Sequence, residues 1–497
     1  MADDGYQKER KMDEKYPWAR LYTASYEAHQ RLASFLDASK AGMPDDLRSP
    51  AFASAPRDEI YAQYWRVLGK TGYVRIDKQD VDEAAKRGPR SMQRPAADRM
   101  SDLDEYFSQS CDPDRKLLER AVSHAKALIS GASIRPSQLE TVCETMEKNT
   151  NWGLPHWSKG RDVWREVLHR AKRTRDASEV FPNVMGWRGQ EQGPNEWPKQ
   201  RVLAHTDHVD ALLGSTVVTP VLAALSRLPG FSGWLDPAAV DQAITRIINT
   251  ARSIGVPILS ADSSKFDSSL HADMIHAAFD VLRYWCQSYL HERLALLEDL
   301  VIHKEYLTPF GLTRQRSGGM PSGTGVTNLV DSLVNYIAAH YIALRLDVAL
   351  VDCEVLGDDA VMLFDHHVEE ADVESAAAEL GLTMNAEKQL YDYIAVHYLQ
   401  RLHQDDYRVK GVCVGVRSTT RCLNGVISHE FRHNWPKGTE TIRNIMQIQN
   451  TEWHPFHRPF TFWWCRNDQL ILDGLDPMEI ASMAGGAKEI MANMRIS

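Results

Sequence analysis

The chain has 497 residues, 43% hydrophobic and 25% charged, with a formal net charge of −10. That length exceeds one ordinary core, and the composition is that of a folded globular protein, not of a disordered or collagen-like one. The acidic balance speaks against a protein that coats nucleic acid with its whole surface, but not against one that holds it in a locally basic channel.

Seven scattered cysteines without paired CxxC spacing fit a reducing compartment. The charged start lacks a signal-peptide core, and Arg345 and Asp347 interrupt the best apolar run, so no membrane partner is expected. Residues 1 to about 140 show helical periodicity in pieces, at Leu32, Phe35 and Leu36 and again at Leu117, Leu118, Ala121 and Val122. The polar stretch Asp77 to Arg99 reads as a surface excursion or mobile loop.

From Thr150 basic residues accumulate, including Arg165, Arg170, Arg173 and Arg175, with Trp157 and Trp164 among them. This suits a nucleic-acid single strand, whose phosphates need cations and whose bases can stack. It equally suits a solvated amphipathic helix burying Val163, Val167 and Leu168. Arg188, Lys199 and Arg201 follow in a Gly/Pro-rich region that alone reads as a surface loop.

Val256 to Asp267 then predicts a short buried strand delivering Asp262 at its end, with serines capping a helix through Met274, Ala278, Val281 and Trp285. Ser317 to Gly325 is a glycine-dense loop entering a helix from Val326 to about Leu344. Its free amides would suit a phosphate or ribose, but it lacks the lysine of a P-loop. Val355 to Phe364 is a β-hairpin pattern with Gly357-Asp358-Asp359 at its tip. Two carboxylates ~4 Å apart repel by roughly 4 kcal/mol at an effective dielectric of ~20. A divalent ion keeps both ionised, and all-oxygen ligands favour magnesium or manganese; taken alone, the tip is also an ordinary turn. A helix from Glu369 to Leu380 ends at Gly381, and Leu382-Thr383-Met384 is expected as a strand leading to Lys388.

The order of elements is the β-α-β-β-α-β pattern of a ferredoxin-like sheet. In it the first and third strands are neighbours, so Asp262 should come beside Asp358. Acids gathered in this way could hold a metal pair for phosphoryl transfer.

In order and spacing these residues resemble the motifs of viral RNA-dependent RNA polymerases. Asp262 to Asp267 resembles motif A, Ser317 to Thr327 motif B, Gly357-Asp358-Asp359 motif C, Gly381 to Lys388 motif D and Val396 to Arg401 motif E. Upstream, Thr150 to Pro155 is similar to motif G and Lys199-x-Arg201 to motif F. The length and the segment Arg417 to Glu430 look most like the enzymes of picobirnaviruses and partitiviruses. The resemblance implies an α+β right-hand fold of fingers, palm and thumb, with a ferredoxin-like palm and closed fingers-thumb contact.

By resemblance, residues 1–140 would bridge fingers and thumb. The fingers would be 141–256 and 305–319, the palm 257–304 and 320–400, and the thumb 401–497. Asp262, Asp358 and Asp359 would be the catalytic acids holding two Mg2+ ions, with Mn2+ able to substitute, and Lys388 the general acid. Lys199, Arg201, Asp267, Ser322, Gly323, Thr327 and Asp331 would bind the nucleotide. Thr150, Gly153, Pro155, Arg173, Arg175 and Arg401 would contact RNA.

One departure stands out, because Asp331 occupies a position where many relatives have Asn. Two carboxylates at one ribose repel unless one is protonated or a neighbour intervenes, and Asn328 and Asn335 are alternatives for that role. The implied partners are RNA template and product, NTPs and a viral capsid protein. A monomer acting in the virion interior and host cytoplasm is expected. In the last stretch, Trp453, Phe456, Phe460, Phe462, Trp463 and Trp464 read as a packed aromatic cluster.

Overall fold

The computed structural model describes residues 15–384, 389–433, 435 and 437–476. In chain order come α1 (Val74–Ala84), α2 (Arg115–Lys126), α3 (Gly160–Arg173), β1 (Asn183–Gln190), β2 (Lys199–His205) and α4 (His208–Leu225). Next are α5 (Pro237–Ile254), β3 (Ile258–Asp262), α6 (Ala272–Trp285), β4 (Tyr306–Thr308) and α7 (Thr327–Arg345). The hairpin β5 (Leu350–Leu356) and β6 (Asp359–Phe364) precedes α8 (Glu370–Glu379), β7 (Leu390–Asp392), β8 (Ala395–Tyr398), β9 (Arg401–Gln404), α9 (Thr419–Ile427) and α10 (His457–Asn467).

Local chemistry fixes where β3 begins. The Asp236 side chain caps α5 by accepting from the Ala239 N–H, Pro237 pre-sets the first turn, and Gly255 ends the helix in the left-handed conformation. The chain then enters an apolar strand that is buried until it reaches Asp262. β3 pairs antiparallel with β6 on one side and β7 on the other, and β5 pairs with β6, giving the order β5-β6-β3-β7. This is the sheet order of a ferredoxin-like unit, with the first and third strands adjacent as expected.

α7 is apolar nearly all round and therefore lies in the core, where Leu333, Ile337, Phe279, Leu282 and Trp285 are fully buried. Each such side chain contributes roughly 2 kcal/mol on burial. A second sheet pairs β1 with β2 antiparallel and β1 with β4 in parallel. The hairpin β8–β9 hooks onto β3 through the His397 N–H donating to Ser260 Oγ at 3.0 Å.

Several expectations need correction. The stretch from Asp77 to Arg99 is not a loose excursion: it includes most of α1, and Asp80 is buried against α9. There it accepts from Ser418 Oγ at 2.5 Å, Thr419 Oγ1 at 3.1 Å and the Thr420 N–H at 3.2 Å. The fourth strand is Leu390–Asp392, while Met384 makes only a single bridge to Ser263. Helix α6 is capped by His271, not by the preceding serines.

Lys199 and Arg201 lie on a strand, not in a loop. Among the described residues, the one helix with membrane-spanning length and composition is α4, mean hydropathy 1.5, and it is a core helix with Leu212, Leu213, Val217 and Val221 buried. Phe460, Trp463 and Trp464 are packed with Phe52, Tyr61 and Tyr64, but Phe462 is 65% exposed.

Candidate active site

The hairpin tip is a two-residue connection in which Gly357 has φ +60° and Leu356 pairs with Asp359. Among its central residues only Gly357 has positive φ, the pattern of a type II′ turn, whose first central position calls for glycine. Helix α7 clamps this tip. Ser332 Oγ accepts the Gly357 N–H at 2.8 Å, and Asn335 Nδ2 donates to the Gly357 carbonyl at 3.1 Å. Asn328 is engaged elsewhere, accepting from Trp234 Nε1 at 3.1 Å. Asn335 is thereby committed to the turn, whereas Asn328 is exposed and keeps its amide N–H groups for another partner.

Across the sheet, Asp262 is the direct register partner of Asp359, with Asp358 in the adjoining turn. Burial, then the charges of Asp358 and Asp262, push the Asp359 carboxyl up to about 7, while Arg201 and Arg421 pull it down. This surplus of negative charge on oxygen donors fits a hard divalent cation. Among the described residues, the trio of metal-capable atoms that lie within 4.8 Å of one another is not the three acids but Cys111, His271 and Asp273. Asp273 there is paired with Arg115 at 2.6 Å, and His271 Nδ1 accepts a backbone N–H, so this trio is committed to protein contacts.

Asp267 accepts a hydrogen bond from Ser322 Oγ. Asp331 is 3% exposed, and its carboxyl is driven well above the usual carboxylate range by burial and then by the charges of Asp267 and Asp358. It shares a hydrogen bond with Asp267, which requires a proton between the two. Burial and the neighbouring charge favour the neutral form of Asp331, which in that form can donate as the amide of an asparagine would.

Three amides of the glycine-dense loop are spent on protein carbonyls. Gly319 N–H donates to the Leu270 carbonyl at 2.7 Å, Met320 N–H to that of Asp267 at 2.6 Å and Thr324 N–H to that of Pro321 at 3.2 Å. The loop instead lies flat on β2, where Ala204 N–H donates to the Ser322 carbonyl at 2.8 Å. A Cβ on Gly323 would fall 2.5 Å from the Ala204 carbonyl oxygen, so close approach explains that glycine. Thr327 Oγ1 is spent inside the loop, on Thr324 Oγ1 at 2.9 Å and the Pro321 carbonyl at 3.2 Å.

Lys199 and Arg201 project from the exposed face of β2 into a cleft of about 470 Å³ that also reaches Asp267, Ser322 and Asp358. Arg94, Arg99 and Lys265 line it too, and sequence reasoning passed over all three. Arg94 and Arg99 sit in the polar stretch, with no periodic or motif signal to mark them. Lys265 stands between the two motif A acids and pairs with Glu105.

The remaining sites divide. Gly153 and Pro155 are buried and Thr150 is half-buried, so that segment shapes the wall more than it presents contacts. Trp157 is 5% exposed and packs with Leu154 and Val184, so it is not a stacking platform. Helix α3 buries Val167 and Ala171, while Arg173 and Arg175 are exposed. Arg401 is not free for RNA: it pairs with Asp241 at 3.1 Å and donates to the Gly415 carbonyl at 3.0 Å. Lys388 lies outside the described residues.

A family model for viral RNA-dependent RNA polymerases matches residues 87–410. The chain is 29% identical over 494 residues to a potential RNA-dependent RNA polymerase of human picobirnavirus (strain Human/Thailand/Hy005102/-), spanning 91% of this chain and 88% of that one. It is 25% identical over 349 residues to the RNA-directed RNA polymerase of Cryptosporidium parvum virus 1 (strain KSU-1), spanning 64% and 62%. Its fold is similar to the crystal structure of a human picobirnavirus RNA-dependent RNA polymerase, with TM-score 0.83, 26% identity, and 95% and 93% of the two chains covered.

Proposed function

The chain belongs to the viral RNA-dependent RNA polymerase family, and on that premise we propose which of its residues carry the reaction. The activity is RNA-templated RNA synthesis for a double-stranded RNA virus, with divalent-metal-assisted nucleotidyl transfer from NTPs and release of pyrophosphate. It takes place in an infected host cell, and RNA and nucleotides are its substrates.

Asp262, Asp358 and Asp359 are the residues that would hold the metal, as two Mg2+ ions with Mn2+ as substitute. The observation that carries this is the pairing of Asp262 with Asp359 beside the turn that presents Asp358, in a cleft that Lys199 and Arg201 also line. The chemistry such ions supply when bound is activation of the attacking 3′-hydroxyl and stabilisation of the leaving pyrophosphate. Lys199 and Arg201 neutralise the triphosphate as it enters. Asp267, positioned by Ser322 and by the proton of Asp331, accepts from the ribose 2′-hydroxyl, while Gly323 and Thr327 set the loop that carries Ser322. Lys388 protonates the departing pyrophosphate, and Arg173 and Arg175 meet RNA phosphates.

In this reading residues 141–256 and 305–319 are fingers, 257–304 and 320–400 palm and 401–497 thumb. Residues 1–140 close the hand, as the contact of Asp80 with Ser418, Thr419 and Thr420 supports. The protein works as a monomer, in the virion interior and host cytoplasm, with capsid protein as partner. Purified protein given template, NTPs and Mn2+ or Mg2+ should make RNA, and Asp358→Ala should not. Equal synthesis by that variant would overturn the assignment, and preference for dNTPs would overturn the ribose contact.

A further inference from the structure

Arg99 is 1% exposed, yet its Nε, Nη1 and Nη2 have no hydrogen-bond partner among the described residues. Its guanidinium lies 3.9 Å from the centre of the Trp187 ring, on strand β1. Removing a cation from water without an acceptor destabilises a fold, and an aromatic face offsets only part of that cost. An arginine left in this state suits an anion that arrives later. The cleft it lines supplies the context, because Arg94, Lys199, Arg201 and Lys265 line it together with Asp267, Ser322 and Asp358, and with the acids Asp102, Glu105 and Glu196.

We propose that Arg99 is a positioning residue for the terminal phosphates of the incoming nucleoside triphosphate, leaving the Trp187 face to meet them. The inference rests on the reading of the cleft as the nucleotide site and deepens it. Three features favour a triphosphate over an RNA backbone. A cleft of about 470 Å³ matches one small ligand. Asp267 and Ser322 take the ribose, which leaves the triphosphate to the cations lining the same cleft. Trp187, the ring that Arg99 covers, is the register partner of Val202 next to Arg201, so Arg99 lies beside the strand whose cations meet the triphosphate. Planar guanidinium donors suit phosphate oxygens, and several can be satisfied at once.

The test uses the full chain with Arg99→Met, which keeps apolar bulk without charge, and Arg99→Lys, which keeps charge without the fork. RNA synthesis on a homopolymer template is followed against NTP concentration, with inorganic tripolyphosphate and pyrophosphate as competitors. Arg99→Met should raise KM for NTP about tenfold with kcat changed less than about twofold. It should also lose the stronger inhibition by tripolyphosphate over pyrophosphate, with Arg99→Lys intermediate and affinity for single-stranded RNA unchanged. The nucleotide-free Arg99→Met protein should melt no lower than wild type, since an unpaired buried charge has been removed. An unchanged KM, weakened RNA binding in place of NTP binding, or a lowered melting temperature with wild-type kinetics would each overturn the inference. Absence of synthesis by the wild type would instead overturn the underlying reading.

Discussion

Asp359 offers the most quantitative test of the acid cluster. Its carboxyl is raised from 3.8 to about 7 in the metal-free protein, by burial and by Asp358 and Asp262. A divalent ion needs the ionised form, so below pH ~7 each unit of acidification should weaken metal binding about tenfold, reaching about a hundredfold near pH 5. Stability carries the opposite sign in the absence of metal. The folded state binds the proton more tightly than the unfolded chain, so stability falls as pH rises from about 4 to about 7, by up to about 4 kcal/mol. Asp359→Asn should abolish this fall and leave the metal-free protein more stable at pH ~8. Calorimetric melting in EDTA and in Mn2+ across this range, with Mn2+ titrations at each pH, reads both effects. Metal affinity that does not vary with pH, or an Asp359→Asn protein with the wild-type slope, would refute the reasoning.

Asp331→Asn should keep RNA synthesis and NTP over dNTP selection near wild type, whereas Asp331→Leu should lose selection; competing NTP and dNTP incorporation distinguishes them. Because burial holds the Asp331 carboxyl well above its unfolded-state range, its native environment opposes folding once the unfolded chain ionises, and Asp331→Asn should stabilise the metal-free protein increasingly as pH rises above about 4, as measured by thermal melting. Asn335→Ala leaves the buried Gly357 carbonyl without its donor and should cost about 1–3 kcal/mol in urea unfolding, with a parallel loss of single-turnover rate. Asp80→Ala removes the acceptor of Ser418, Thr419 and the Thr420 N–H and should cost about 3 kcal/mol, read as a lower denaturation midpoint. A cost under about 1 kcal/mol would show that the junction of α1 and α9 is not held by this carboxylate.

What the sequence made legible was local. The hairpin at Gly357 and the strand ending at Asp262 are each set by residues within a few positions, and a topological rule then orders the sheet. The misread elements depend on distant partners. Helix α1 buries little apolar surface beyond Ile76, and it is held by a carboxylate whose donors lie 338 to 340 residues away. Arg401 looked free because Asp241, its partner on α5, is remote in sequence. Basic residues interleaved with tryptophan say nothing about which side is buried, and Trp157 faces inward. A dense run of glycines is compatible with a ligand or with backbone lying against backbone, and only the position of Ala204 decides for the second at Gly323.

Helix α7 explains why acids from separate stretches keep a fixed spacing. The loop at its start is tied to β2 through Ser322 and Ala204, so the strand bearing Lys199 and Arg201 is referenced to it. One turn and more along, Asp331 meets Asp267, and the next residues, Ser332 and Asn335, grip both polar groups of Gly357. A buried helix rises about 1.5 Å per residue and does not stretch. The nucleotide-facing strand, the ribose-facing acid and the turn bearing Asp358 are therefore measured off along one rigid element. Repulsion among the acids is then opposed by backbone contacts that carry no charge, so the cluster can keep its shape whether or not a cation is bound.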